Sequence, residues 1–156
     1  MSNAKSLAAA QYILRQRQAA QDALTPMQLI KLVYIAHGYM LGKYGKPLLD
    51  ESVEAWQYGP VVPSVYHAVK FFRSSPVTFV PGASDYPFTQ EERETMESIA
   101  RNYGPHSGVV LSAATHQPET PWNQTWCMFG KNADISNDLI ESFYADILKK
   151  DRHYAL

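Results

Sequence analysis

Residues 25–43 read TPMQLIKLVYIAHGYMLGK, and this stretch decides the fold. Thr25 is a typical helix N-cap residue, Pro26 suits the first helical position, and Gln28 completes a capping box three residues after the cap. From residue 27 to residue 41 apolar side chains occupy nearly every position, so the helix has almost no polar face. A helix that is apolar all round is normally buried. We therefore predict a central helix against which the other elements pack.

The chain has 156 residues, which is the size of one domain, and we predict a single domain over residues 1–156 with residues 1–6 flexible. Fourteen Lys and Arg stand against fifteen Asp and Glu, so the net charge is -1 and nucleic acid is not the expected partner. The single cysteine cannot form an internal disulfide, which fits a reducing cytoplasm. Because no run of eighteen or more apolar residues occurs, no membrane span is expected.

Caps and apolar periodicity predict the remaining helices over residues 7–24, 63–72, 89–103 and 107–116, and from residue 136 towards the C-terminus. Residues 118–126 are expected to form a tight turn followed by one or two helical turns. Residues 53–58 and 77–80 have strand character and could pair as a small ribbon. An isolated ribbon is only marginally stable, so it is expected to lie on the helices. The predicted fold class is mainly α (α+β): a compact bundle of about six helices with a small two-stranded β element.

The residues that commonly carry chemistry show no catalytic or metal-binding pattern. No pair among His37, His67, His106, His116 and Cys127 has the spacing that places two metal ligands on one helix face. The sequence also lacks a phosphate-binding glycine loop and paired catalytic carboxylates. We therefore predict no catalytic, cofactor or metal residues and no enzymatic activity. A hydrolase with a site centred on His116 remains the alternative from a different functional class.

Two segments, residues 54–66 and 111–122, are dense in aromatic residues, proline and glycine. They are either fold determinants or a surface for a protein partner, since Trp and Tyr are favoured anchors at interfaces. From residue types alone we favour the first interpretation, because large rings mostly serve cores. The candidate partner surface consists of Trp56, Tyr58, Gly59, Pro60, Tyr66, His116 and Trp122.

The position of these residues suggests how a partner would bind. The strand that ends near Trp56 and Tyr58 is expected at a sheet edge, where a partner segment can add to the unpaired backbone. His116 and Trp122 would either flank that surface or close the core beneath it.

Four motifs carry a family resemblance. They are LIKLVYIAHG at residues 29–38, G-x-P-L at residues 45–48, AWxYGPVVPxVY at residues 55–66, and Thr115-His116 followed by Pro121-Trp122. In this order they resemble the Panacea domain, the SocA-like antitoxin family, which is also described as phage-associated GepA-like proteins. The resemblance covers about residues 7–144.

The resemblance implies a mostly helical domain that neutralises a protein toxin encoded nearby by direct contact. At least one member of the family acts as a proteolytic adaptor, so a AAA+ protease is implied as a second partner. A prophage accessory protein without a toxin partner is the alternative within the same resemblance. The sequence leaves the toxin and the oligomeric state open.

Overall fold

The computed structural model describes residues 3–150, which form seven α-helices and one three-stranded antiparallel sheet. The helices are α1 (Ala4–Ala19), α2 (Pro26–Tyr44), α3 (Pro63–Val69), α4 (Gln90–Tyr103), α5 (Gly108–Thr115), α6 (Pro121–Phe129) and α7 (Asn137–Lys150). The strands are β1 (Val53–Trp56), β2 (Gly59–Val61) and β3 (Ala133–Ile135), and a 3₁₀ turn (Lys70–Phe72) extends α3. The mainly helical fold class with a small β element is confirmed, although the helices number seven rather than about six.

Helix α2 is the centre of the fold, as its apolar sequence predicts. Thr25 and Gln28 form both hydrogen bonds of the capping box, and every residue from 29 to 41 is buried. Around it pack α1, α3, α4, α5 and α7, together with β2. Its most extensive contact is with α7. The two helices can lie close together because Gly38 of α2 has no side chain, and a Cβ atom there would overlap the ring of Tyr144 in α7.

His37 joins α2 to two other parts of the molecule. Its Nδ1 accepts hydrogen bonds from the backbone N–H groups of Leu48 (3.2 Å) and Leu49 (3.3 Å). Nε2 therefore carries the proton and donates to Asn137 Oδ1 at 3.0 Å. Burial, more than any other factor, lowers the pKa of His37 to about 4. The ring is thus a neutral, hydrogen-bonded part of the core.

The sheet differs from the predicted ribbon. Its strand order is β2-β1-β3, so β1 is the central strand and the expectation that it lies at a sheet edge is wrong. The predicted strand over residues 77–80 is also wrong, because Val77 N–H donates to Leu24 O and Val80 N–H donates to Gln11 Oε1. Both valines are buried and lie three residues apart, so this segment packs against the helices without the alternation of a paired strand.

The N-terminal segment is more ordered than expected in the part that the structure describes. Residues 1 and 2 lie outside the described residues, whereas residues 4–6 form the first turn of α1. Lys5 Nζ lies 2.7 Å from Glu92 Oε2, and Ser6 is buried. The expectation of a flexible segment therefore needs correction for residues 4–6.

Helix α1 ends at Ala19, five residues before the predicted end. Gln21 adopts a left-handed conformation with φ of 60°, which no helix can continue through. Arg17 Nη2 also binds Asp22 Oδ2 at 2.5 Å and holds the chain in this reversal. None of the described helices has both the length and the apolar composition needed to cross a bilayer.

Candidate functional site

The hairpin formed by β1 and β2 is held by side chains from three helices. Three of its backbone carbonyl groups accept hydrogen bonds from α2, α5 and α6. The bonds run from Lys31 Nζ to Pro60 O at 3.0 Å, from Ser112 Oγ to Tyr58 O at 2.7 Å, and from Trp122 Nε1 to Trp56 O at 2.6 Å. Segments that are far apart in the sequence therefore meet at this hairpin.

Gly59 is required by the same arrangement. Its φ of 122° lies in the region that favours glycine. A Cβ atom at this position would lie only 2.9 Å from Lys31 Nζ. The absence of a side chain therefore allows both the turn and the approach of the lysine.

A groove of about 450 Å³ opens beside the hairpin, and we call it the hairpin groove. Its lining comprises three aromatic residues (Trp56, Tyr58, Tyr66), four apolar ones (Pro26, Met27, Ile30, Val61), two amides (Gln57, Asn132) and four cations (Lys31, Lys70, Arg73, Lys131). Contributions come from α2, the hairpin, α3 and the loop before β3. The groove therefore presents aromatic, apolar and cationic groups together.

The aromatic residues of the hairpin groove are held in fixed relative positions. The rings of Trp56 and Tyr66 meet edge to face with centroids 4.8 Å apart, and Lys70 Nζ lies 5.8 Å from the centroid of Tyr66. The indole N–H of Trp56 donates to Glu54 Oε1 at 2.8 Å. Tyr58 differs, because 66% of its surface is exposed. It is the aromatic side chain of the hairpin most available to a partner.

Lys31 is the most unusual group of the groove. Only 3% of its surface is exposed, and among residues 3–150 its ammonium has one hydrogen-bond acceptor, Pro60 O, and no carboxylate partner. Burial lowers the pKa of Lys31 to about 8. An ammonium has three donor hydrogens, so its hydrogen-bonding capacity is only partly used.

His116 and Trp122 lie behind the hairpin. Trp122 is only 6% exposed, and its ring centroid lies 5.2 Å from that of His116. His116 Nδ1 lies 2.5 Å from Ser112 O, to which it donates. Among the described residues no nucleophilic side chain lies within hydrogen-bonding distance of His116, so nothing in this region favours the hydrolase alternative. Within residues 3–150, no three His, Cys, Asp or Glu side chains come together as a metal-binding group.

The family model described as "Antitoxin SocA-like, Panacea domain" matches residues 29–123, from α2 into α6. The chain belongs to this family. It is also similar to Antitoxin SocA of Caulobacter vibrioides (strain NA1000 / CB15N), with 30% identity over 128 residues that cover 74% of this chain and 67% of that protein. No solved structure gives a significant match.

The fold of this Panacea domain separates the predicted surface residues into two groups. Trp56, Tyr58 and Tyr66 line the hairpin groove. The others are buried or half-buried, and they shape or support the hairpin: Gly59, Pro60, His116 and Trp122. Many of the residues that carry the family resemblance therefore form or support this one hairpin.

Sequence reasoning missed the cations of the groove. Lys70, Arg73 and Lys131 are exposed and belong to no recognisable sequence motif, so nothing near them in the sequence predicts that they line the groove. Lys31 does carry a local signal, because it is the only charged residue between positions 26 and 42. A single charge inside an otherwise apolar helix is unusual, because lysine is seldom fully buried.

Proposed function

We propose that this Panacea domain is an antitoxin that neutralises a protein toxin, encoded beside its own gene, by direct contact. Membership of the SocA-like family is the observation that carries the proposal. The residues that the family model matches include α2 from residue 29 onwards, the hairpin, α3 and α5, which supply most of the hairpin groove and its support. The protein would act in the cytoplasm and without catalysis.

We place the toxin contact at the hairpin groove. Tyr58 would be the anchor, with Trp56 and Tyr66 beside it, because exposed aromatic residues next to a preformed groove are typical of interface hot spots. Gly59, Pro60, His116 and Trp122 would act indirectly by holding the hairpin in shape. Since β1 is not an edge strand, the toxin would bind to side chains of the groove rather than add a strand to β1.

The proposal extends to a AAA+ protease as a second partner. In that form the domain would hand the bound toxin to the protease, as an adaptor does. The two forms differ in the fate of the toxin. Contact alone leaves the amount of toxin unchanged, whereas delivery to a protease shortens the lifetime of the toxin.

Co-expression with the protein from the adjacent reading frame tests the proposal. Wild type should restore growth and co-purify with the toxin. Tyr58→Ala should lose both while keeping its melting temperature, because the side chain is mostly exposed. Phe129→Ala is the matched control, since Phe129 is 74% exposed and lies outside the groove. If wild type neither rescues growth nor retains the neighbouring protein, the antitoxin function is wrong.

A further inference from the structure

We propose that the hairpin groove binds an acidic segment of the toxin, with Asp or Glu carboxylates opposite its four cations and apolar side chains against its rings. This inference rests on the proposed function, because it names the chemistry of the toxin segment that the same groove would hold. It is carried by the charge distribution, the buried ammonium of Lys31 and the apolar part of the lining.

The charge of the hairpin groove is opposite to that of the whole protein. The chain has a net charge of -1, yet four of its fourteen Lys and Arg residues line the groove. No Asp or Glu is found among the described residues that line it. Within residues 3–150 none of these four cations has an ion-pair partner, whereas Lys5, Arg17 and Lys46 elsewhere do. The groove is therefore complementary to carboxylates that the chain itself does not supply.

Lys31 adds a reason for a carboxylate rather than any polar group. A buried charge without a counter-charge is unfavourable, and a carboxylate brought close to it would relieve this. The attraction is strong there because the surroundings have a low dielectric constant. Gly59 leaves the ammonium close to the hairpin backbone at the inner end of the groove. An acidic side chain entering the groove would meet the exposed cations first and Lys31 last.

The apolar lining favours a protein segment over a nucleic acid. Met27, Ile30 and Val61 accompany the rings, so the groove suits a segment in which acidic and apolar side chains are mixed. A nucleic acid extends far beyond a groove of about 450 Å³ and would meet the negative remainder of the protein. A short acidic segment needs only the groove itself.

Binding of the purified neighbouring toxin to two charge-matched variants tests the inference. The groove variant carries Lys70→Gln, Arg73→Gln and Lys131→Gln, and it leaves the buried Lys31 in place. The control variant carries Arg15→Gln, Arg101→Gln and Lys149→Gln, which remove the same charge from exposed positions outside the groove. Titration calorimetry should show affinity reduced about tenfold or more for the groove variant only, with a weaker dependence on salt.

Carbodiimide cross-linking identifies the paired groups directly. The reagent activates a carboxyl group, an amine displaces the activating group, and an amide forms with net loss of water to the reagent. Mass spectrometry of the complex should find Asp or Glu of the toxin joined to Lys70 or Lys131. Cross-links only to lysines outside the groove, or only from toxin lysines to acids of this chain, would show that the inference is wrong.

The outcomes separate the inference from the proposed function. If wild type neither rescues growth nor binds the toxin, the antitoxin function fails and the inference fails with it. If wild type binds and the groove variant binds as tightly, only the inference is wrong. The inference is also wrong if wild type binds a DNA oligonucleotide of about twenty nucleotides and the groove variant no longer binds this DNA but still binds the toxin.

Discussion

Lys31 carries a positive charge inside α2, where every neighbour from residue 29 to residue 41 is buried. Burial lowers its pKa to about 8, compared with 10.5 for an exposed lysine. Below pH 8 the folded chain bears the full unfavourable effect of the buried charge. Between pH 8 and pH 10 the folded chain releases this proton while the unfolded chain keeps it, so stability should rise with pH.

Above pH 9 the buried Tyr34 and Tyr144 oppose this rise, because burial raises their pKa and the unfolded chain loses their phenolic protons first. We therefore predict that the free energy of unfolding increases by about 1 kcal/mol between pH 8 and pH 9, because one pKa unit corresponds to about 1.4 kcal/mol. Urea titrations at fixed pH values measure it. Lys31→Met should abolish the rise, and at pH 7 it should be at least as stable as wild type despite the lost bond to Pro60 O. A wild-type curve that is flat over this range contradicts the prediction.

His37 has the opposite dependence on pH. It is neutral in the fold with a pKa of about 4, while an unfolded histidine titrates near 6.5. As pH falls below 6.5 the unfolded chain gains a proton that the folded chain does not, so stability declines. We predict a loss of about 2 kcal/mol between pH 6.5 and pH 5, where carboxyl groups contribute little. His37→Gln should be less stable at pH 7, and a slope equal to wild type in this variant would refute the assignment.

Between elements, the close contact of α2 with α7 depends on glycine at position 38. A Cβ atom on Gly38 would overlap the ring of Tyr144. We predict that Gly38→Ala lowers the free energy of unfolding by about 1–3 kcal/mol, although alanine is the better helix former. The same substitution in a Tyr144→Ala background should have a smaller effect, because the overlapping ring is gone. Thermal or urea unfolding of the four proteins measures this coupling, and equal effects in both backgrounds would exclude the overlap as the cause.

The helices of this domain could be predicted from sequence because their signals are local. The Thr25–Gln28 and Thr89–Glu92 capping boxes both form as predicted, and Ser107 caps α5. Of the strands, β1 lies within the predicted segment 53–58, but its pairing with β3 could not be predicted, because the two strands are far apart along the chain. β3 has only three residues, too few to show an alternating pattern, and it pairs with β1 from the other end of the sequence.

The candidate site shows the same difference between residues close in the sequence, which could be predicted, and residues far apart, which could not. Trp56, Tyr58 and Tyr66 are close in the sequence, and their composition marked them as a group. Lys31 and Lys131 reach the same groove from opposite parts of the chain, which no short motif reveals. Nor does composition show that Trp122 donates its N–H to Trp56 O from beneath the hairpin.

At the scale of the whole molecule, α2 contacts five of the other helices and β2, so the protein should unfold as one unit. All three tryptophans report on the hairpin side of the molecule, where Trp122 stacks on Trp126 and bonds to Trp56 O. We predict that tryptophan fluorescence and far-ultraviolet circular dichroism give the same midpoint in urea. An earlier fluorescence transition would mean that the hairpin region unfolds separately from the helices.

The bonds to the hairpin carbonyls also set the order in which the chain can mature during translation. Lys31 is made before the hairpin, but Ser112 and Trp122 follow their acceptors by 54 and 66 residues. Until α5 and α6 leave the ribosome, the carbonyls of Trp56 and Tyr58 lack these two donors, and contacts across such distances form slowly. A nascent or truncated chain would therefore lack a finished groove. Under the proposed function, only completed molecules would neutralise the toxin, so chains cut short during synthesis would leave newly made toxin without a partner.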